Sequence, residues 1–145
     1  MLENFKKAIF RALCLGCVLI GGRVNGREPN PEELVLLGIK SYEKQDFSKA
    51  KGYFEKACDL NNGGGCSNLG VLYQNGQGVE KDLIKAAYLY SRACELKEGD
   101  GCGALGGLYY NGDGVKQDFK KAAALFEKAC KLGYKKACEM LKELR

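Results

Sequence analysis

The sequence predicts an all-α fold, a solenoid in which helix hairpins stack side by side. Residues 66–96 and 102–132 align without a gap, so the chain carries an internal repeat whose copies start 36 residues apart. Within each copy, apolar residues recur at helical spacing in two runs that a glycine-containing loop separates. The chain has 145 residues, 46% of them hydrophobic, and only two Pro. It therefore has room for one folded domain of this kind.

The first 26 residues predict a secretory signal peptide. Three basic side chains precede an apolar run, residues 12–20, that is too short to cross a bilayer as a helix but suits the hydrophobic region of a signal. Small residues follow, so we expect cleavage near Gly22 or Gly26. The mature protein, residues 27–145, is then secreted or periplasmic. The basic side chains ahead of the run are Lys6, Lys7 and Arg11.

Two cysteines in this segment allow other interpretations. Leu15-Gly16-Cys17 ends like a lipobox, so a lipoprotein anchored at Cys17 is the alternative to a cleaved, free protein, although Cys14 stands where Leu is usual. Cys14 and Cys17 also have the spacing of a redox motif, but such a site needs a folded strand-to-helix context. We therefore expect no redox function from them.

The charge of the chain disfavours nucleic acid as a partner. The full sequence has 23 basic and 18 acidic side chains. Removing residues 1–26 takes away four basic side chains and one acidic one. The remaining chain has 19 basic and 17 acidic side chains, a net charge of +2. Nucleic-acid binding needs a concentrated basic surface against the phosphates. The mature chain is nearly balanced in charge.

Each repeat predicts two helices. In the second unit, Leu69, Leu72 and Tyr73 recur at helical spacing, and the helix ends at Asn75-Gly76, where glycine supplies the left-handed conformation. The other helix begins after Asp82, a good N-cap residue. Its apolar stripe consists of Leu83, Ala86, Ala87, Tyr90 and Ala93.

The hairpins follow one another from residue 32 to the end. The last segment has only a first helix, is charged on its other faces and predicts a cap. Hairpins of this kind cannot bury their apolar faces alone, so neighbours must stack. The predicted units are about 32–65, 66–101 and 102–137, and the cap is 134–145.

Residues 34–60 carry the pattern with a shorter loop and match the tetratricopeptide repeat closely, whereas the next two units contain an inserted NGxGV loop. The chain therefore resembles the Sel-one-like repeats, relatives of the tetratricopeptide repeat with a longer interhelix loop. The paired cysteines and the leader narrow the resemblance to the Helicobacter cysteine-rich protein subfamily. It covers roughly residues 32–142. It implies a right-handed α/α superhelix of about three helix-hairpin repeats plus a C-terminal capping helix.

Six cysteines recur as three pairs eight residues apart. In an oxidising compartment they can form disulfides, and the periodicity selects one pairing, which clamps the end of each second helix to the start of the next first helix. Two alternatives to disulfides stay open. The cysteines can remain free and serve as small core residues. They can also bind zinc, although such a site would lack both histidine and a typical ligand spacing. The selected bridges are Cys58–Cys66, Cys94–Cys102 and Cys130–Cys138.

The sequence contains no histidine, which excludes Ser-His and Cys-His nucleophile pairs. Residues 101–106 match the dinucleotide fingerprint GxGxxG formally, but a helix instead of a strand precedes them. The three glycines at 63–65 are predicted to lie in a turn between repeats, so a phosphate cradle is not expected there. We expect neither a cofactor nor a metal.

The resemblance implies penicillin binding and slow β-lactamase activity, so a β-lactam hydrolase is the enzyme hypothesis. Serine β-lactamases need Ser-x-x-Lys with further Ser- and Lys-containing motifs. Ser41 with Lys44 and Ser48 with Lys51 match the first part, but neither SDN nor KTG occurs. With four Ser and eighteen Lys in the chain, such matches arise by chance, and both lysines are more simply solvated. No nucleophile or general base can be assigned.

The remaining candidate is the groove of the superhelix. In tetratricopeptide-type superhelices the first helices line the concave face, and the positions that differ between units contact the ligand. The alternative for Asn75 and Asn111 is turn chemistry, and for Tyr110 it is simple surface exposure. The candidate ligand-binding residues are Asn68, Gln74, Asn75, Tyr110 and Asn111.

Two functions follow from different classes of protein. The first is a monomeric binding module that grips an extended peptide or a peptidoglycan-like ligand in its concave groove. The second is a weak β-lactam hydrolase, which the resemblance alone implies. If the protein has no such activity, the alternative is a purely non-enzymatic module that binds a host or bacterial protein. Neither function involves nucleic acid or a membrane span.

Overall fold

The computed structural model describes residues 27–145, which fold into seven α-helices without a strand. The signal peptide over residues 1–26, with the lipoprotein alternative at Cys17, lies outside the described residues. The helices are α1 (Pro31–Glu43), α2 (Phe47–Asp59), α3 (Gly63–Asn75), α4 (Leu83–Glu95), α5 (Gly99–Asn111), α6 (Phe119–Lys131) and α7 (Lys135–Leu144).

The helices form three hairpins and a cap, as the repeat predicts. The closest packing joins α1 to α2, α3 to α4 and α5 to α6, and each second helix then packs on the first helix of the next hairpin. Short loops connect the partners, so each pair is antiparallel. The last helix described, α7, packs on α6. The all-α solenoid and its disulfide clamps are confirmed.

Side-chain caps fix where the second helices begin. Asp46, Asp82 and Asp118 each accept a hydrogen bond from the backbone N–H three residues later, at 3.0–3.2 Å. Such a bond satisfies one of the amides that the first turn of a helix leaves unpaired. The predicted cap at Asp82 is therefore present, and the repeat places the same cap in all three hairpins.

The glycines at 63–65 differ from the prediction, because they form the first turn of α3 and not a turn between repeats. Asn62 caps this helix by accepting a hydrogen bond from the Gly65 amide at 2.9 Å. A Cβ on Gly65 would lie 2.6 Å from the Cβ of Ala57 in α2. Glycine is thus required by close helix contact, and the first helices of units two and three start three residues before the predicted boundaries at 66 and 102.

The two helices of each hairpin approach closely because a glycine of the first faces an aromatic ring of the second. A Cβ built on Gly38, Gly70 or Gly106 would lie 2.4–2.8 Å from the nearest ring carbon. The rings are almost fully buried and fill the core together with alanines of the second helices. The three rings belong to Phe54, Tyr90 and Phe126.

Three disulfides join the second helix of each hairpin to the following first helix. The bonded pairs are the three that the periodicity selects, and each spans eight residues. All six cysteines of residues 27–145 are thereby paired, which leaves no free thiol in that part of the chain. These covalent links fix the order of the stack by joining α2 to α3, α4 to α5 and α6 to α7.

We expect the Cys130–Cys138 bridge to be reduced before the other two. Both of its cysteines are half-buried, whereas Cys66 and Cys102 have no exposed surface. Thiol–disulfide exchange requires access of the attacking thiolate to a sulfur. Limited reduction followed by alkylation and mass spectrometry should therefore label Cys130 and Cys138 first. Earlier labelling of Cys58 or Cys66 would contradict this order.

Candidate functional site

The first helices form the inner face of the stack. Across neighbouring hairpins, α1 contacts α3 and α3 contacts α5, whereas among the described helices no packing of comparable extent joins α2 to α4 or α4 to α6. Successive hairpins are therefore closer together on the side of the first helices. A stack that is tighter on one side curves toward it, so this side is concave.

One stripe of each first helix is only partly covered on this face, and its α3 and α5 residues are half-buried. In α3, Gly65 faces α2 and Gly70 faces α4, so the side chains of Asn68 and Val71 point away from both second helices. The same positions in α1 and α5 extend the surface across three helices. We call this surface the inner stripe; it consists of Leu36, Ile39, Asn68, Val71, Ala104 and Gly107.

The inner stripe changes in character from one end to the other. On α1 it is apolar and prominent, because Leu36 is 58% exposed and Ile39 is 37% exposed. On α5 it is shallow, and no atom beyond the surrounding turns of its own helix lies within 4 Å of the position that a Cβ on Gly107 would take. The stack does not need glycine there. The space beside Gly107 is open, so the surface is lower there than on α1, and we call this low point of the concave face the recess.

Three of the sequence-predicted contacts lie along this stripe or at its end. The amide of Asn68 donates a hydrogen bond to the Gly64 carbonyl at 2.8 Å, which holds the side chain in place. Asn75 and Asn111 are exposed at equivalent positions on the last turns of α3 and α5. An amide in such a position can bond the backbone of an extended ligand.

The other two predicted contacts serve the packing between the helices of a hairpin. Gln74 accepts a hydrogen bond from the Tyr90 hydroxyl at 2.5 Å. Burial, and secondarily Asp100, raise the pKa of Tyr90, so the phenol stays a hydrogen-bond donor. Tyr110 is 39% exposed and packs edge-on against Phe119. The structure thus places Gln74 and Tyr110 beside the inner stripe instead of on it, and ligand contact by either residue stays a prediction.

The apolar and glycine members of the stripe are not among the predicted contacts, because the prediction rests on polar side chains. The columns that differ between units already contained them, since Val71 corresponds to Gly107 and Asn68 to Ala104. Leu36 and Ile39 correspond to Asn68 and Val71, but this alignment is evident only once the shorter loop of the first unit is taken into account. Exposure of an apolar side chain on one helix face was the missing signal.

The ends of the inner stripe are acidic. Glu32 and Glu43 flank its α1 part, and Asp100 lies at the start of α5. Burial first, and then the charge and hydrogen bond of Asp100, raise the pKa of the neighbouring Glu98. The carboxylates of Glu32, Glu43 and Asp100 can pair with a positive group of a ligand, whereas the exposed Lys40 next to Ile39 opposes it.

The Ser-x-x-Lys matches do not form a catalytic pair. The Ser41 hydroxyl is buried and donates to the Leu37 carbonyl of its own helix at 2.9 Å. Lys51 forms an ion pair with Glu55 at 2.8 Å, and this hydrogen bond raises the lysine pKa. A lysine acting as general base needs a lowered pKa. Ser41 and Lys51 are thus in the wrong states for acyl transfer.

Residues 27–145 show neither a metal site nor a membrane-spanning helix. No group of three or more His, Cys, Asp or Glu side chains in that range could hold a metal ion. Likewise, none of its helices is both long enough and apolar enough to cross a bilayer.

Comparison with known proteins places the chain among repeat proteins. The family model described as Sel1 repeat matches residues 35–62, 64–98 and 99–134. HcpC of Helicobacter pylori strain J99 is 61% identical over 83 residues, which are 57% of this chain and 28% of HcpC. The protein named Beta-lactamase HcpA, from the same strain, is 52% identical over 57% of this chain and 32% of its own length. The chain thus spans about a third or less of these curated relatives.

Solved structures agree with the sequence matches. Helicobacter pylori cysteine rich protein B has a TM-score of 0.63 and 38% identity, over 83% of this chain and 99% of that one. A protective antigen of uropathogenic Escherichia coli with an SLR fold has a TM-score of 0.72 and 28% identity, over 77% of this chain and 25% of that one. A Sel1 repeat protein from Oxalobacter formigenes, at 23% identity, shares the fold, with a TM-score of 0.73 over 97% and 59% of the two chains.

Proposed function

The chain belongs to the Sel1 repeat family, with the cysteine-rich Helicobacter proteins as relatives, and on that premise we propose that it binds an extended peptide along the inner stripe. Sel1 repeats are protein-interaction modules. The protein acts outside the cytoplasm, where disulfides form and persist. The three disulfides hold the hairpins in the curvature that the concave face requires.

The observation that carries this proposal is the inner stripe itself. Helices that pack together lie about 9 Å apart, so three first helices span about 18 Å. An extended chain covers about 3.3 Å per residue, and a peptide of about six residues therefore crosses the whole stripe. Apolar side chains of this ligand rest on Leu36 and Ile39, and a bulky one enters the recess at Gly107.

Peptidoglycan stem peptides fit the same surface. They are short and extended, and their side chains are mostly small. Asn68 offers an amide for the ligand backbone, and the acidic residues at the ends of the stripe attract a free amino group. A cell-wall stem peptide is therefore a ligand of the proposed class, along with an extended segment of a host or bacterial protein.

Penicillin binding with slow β-lactam hydrolysis is the second candidate, because HcpA carries the name of a β-lactamase. A β-lactam would bind the inner stripe as a mimic of a peptide. The Ser-x-x-Lys serines would take no part, since Ser41 is bonded to its own helix and Lys51 to Glu55.

We expect the Ser41→Ala/Ser48→Ala variant to keep any rate of β-lactam turnover within twofold of the unchanged protein, because neither hydroxyl has a deprotonating partner. The measurement is steady-state hydrolysis of a chromogenic cephalosporin by oxidised protein. Loss of turnover in this variant would restore a serine mechanism. Binding of penicillin in a one-to-one ratio without turnover would leave only the binding module.

Selection of short linear peptides from a displayed library tests the proposed function. We expect selected peptides to lose at least tenfold in affinity with Gly107→Trp, which fills the recess, and with Ile39→Glu, which removes the apolar contact. Glu127→Trp is the matched control, because Glu127 is exposed on the outer helix α6. If no selected peptide responds to the two inner-stripe variants, the inner stripe is not the binding face.

A further inference from the structure

A second groove lies on the outer side of the stack, between the second helices α4 and α6. It has a volume of about 440 Å³, and its floor includes Leu105 and Tyr109 of α5. The groove is open because the second helices of neighbouring hairpins lie farther apart than the first helices do. It is separate from the inner stripe, since it is formed from the opposite side of the molecule.

The α4 wall of this groove exposes two large apolar side chains one turn apart. Ile84 is 73% exposed and Tyr88 is 62% exposed. The other hairpins serve as internal controls, because the same two positions hold Ser48 and Gly52 in the first and Lys120 and Ala124 in the third. The scaffold therefore does not need apolar residues there. Exposing them costs solubility without stabilising the fold.

The preceding outer groove, between α2 and α4, is bridged by a side chain at one end and is open at the other, where a cavity of about 570 Å³ is lined by Lys51, Tyr73 and Lys85. Arg92 donates hydrogen bonds to the Cys58 carbonyl and to the Asn61 side chain, both at 3.3 Å. In the α4–α6 groove the equivalent residue is Lys128, which makes no hydrogen bond or ion pair to the part of the chain that the structure describes. Within residues 27–145, no such bridge crosses this end of the α4–α6 groove.

The α6 wall of the open groove is cationic. Lys121 lies with its Nζ atom 4.5 Å from the centre of the Tyr109 ring, and Lys128 follows two turns later on the same wall. Seven residues of helix correspond to about 10.5 Å. The groove thus presents an apolar wall opposite two positive charges, with Glu95 as the acidic residue that lines it.

We propose that this outer groove binds an amphipathic helix of a partner protein, whose apolar face covers Ile84 and Tyr88 and whose acidic edge pairs with Lys121 and Lys128. In helix-in-groove recognition, the apolar face of the ligand helix packs on apolar residues such as Ile84 and Tyr88, which lie one turn apart. Acidic residues seven positions apart on the ligand match the two lysines. The chain's own N-terminal segment is a poor occupant, because it is basic ahead of its apolar run.

The test uses two designed peptides of about 18 residues, long enough to be helical. Both carry leucines along one face; one has glutamates and the other has lysines along the edge of that face. We expect the Leu/Glu peptide to bind the intact, oxidised protein and the Leu/Lys peptide to bind at least tenfold more weakly. Raising the salt concentration should weaken the Leu/Glu complex.

Variants locate the contact. Lys121→Glu and Lys128→Glu are each expected to weaken binding of the Leu/Glu peptide about fivefold or more, since reversing the charge turns attraction into repulsion. Ile84→Ser/Tyr88→Ala, which borrows the residue types of the other hairpins, should weaken it at least tenfold. Lys120→Glu is the matched control, because it makes the same charge change on α6 outside the groove, and should alter affinity less than twofold.

Several results would overturn the proposal. They are equal binding of the two peptides, absence of binding by the Leu/Glu peptide, or an equal effect of Lys120→Glu and Lys121→Glu. Sedimentation of the protein alone provides a further check. A dimer that Ile84→Ser/Tyr88→Ala dissociates would assign the groove to a second copy of the chain and would also refute a partner helix.

Discussion

Cys94→Ala/Cys102→Ala is expected to lower the free energy of unfolding by about 2.6 kcal/mol, because the bridge closes a loop of about nine residues in the unfolded chain. It also joins the second hairpin to the third, so its loss weakens the coupling between them. Both sulfur atoms are buried, and alanine leaves a small cavity that adds to the loss. The measurement is urea unfolding followed by helical circular dichroism.

The terminal bridge supplies the control for this result. Cys130→Ala/Cys138→Ala frees only α7, which packs on one helix, so the main unfolding transition should shift less than it does for the central pair. Adding reductant to the unchanged protein should lower its stability at least as far as the central variant. Unfolding midpoints that do not respond to reductant would contradict the structural role of the bridges.

Gly106→Ala and Gly107→Ala are expected to change stability in opposite directions although the two glycines are adjacent. A Cβ on Gly106 would lie 2.8 Å from a ring carbon of Phe126, which is fully buried and cannot move aside. Overpacking of this kind costs about 1–3 kcal/mol. A Cβ on Gly107 meets nothing within 4 Å, so alanine there should stabilise the helix by about 0.5–1 kcal/mol.

Thermal unfolding of the two variants and of the unchanged protein under oxidising conditions checks this pair. If the unfolding temperatures of Gly106→Ala and Gly107→Ala both shift in the same direction, the close approach of α5 and α6 is not as described. The result also bears on function, because a glycine that lowers stability without a packing reason is expected where a ligand needs room.

The fold was predictable from the sequence because the repeat states the same information three times. Asp82 marks a helix start, Gly76 a helix end, and the constant cysteine spacing fixes the bridges. The start of α3 was not predictable, because three consecutive glycines are typical of a turn. Only the contact of Gly65 with Ala57 shows why glycine stands inside a helix there.

The candidate site was less predictable, since it depends on contacts between distant residues. The sequence predicts Gln74 as a ligand contact, but in the structure Gln74 accepts a hydrogen bond from Tyr90, which lies sixteen residues later in the chain. Gly106 recurs at the same position in every unit and Gly107 does not, but only the structure shows that Gly106 faces a buried ring and Gly107 faces open space. Such differences depend on which face of the helix packs against its neighbour, and a composition-based choice of polar residues misses them.

The most direct measurement for the inner stripe is an amide chemical-shift map of the oxidised protein titrated with a peptide selected from a library. The proposed function predicts that the shifts concentrate on α1, α3 and α5 near Ile39, Val71 and Gly107, and that Gly107→Trp abolishes them. Shifts confined to the outer helices α2, α4 and α6, with no response at these three positions, would contradict recognition by the concave face.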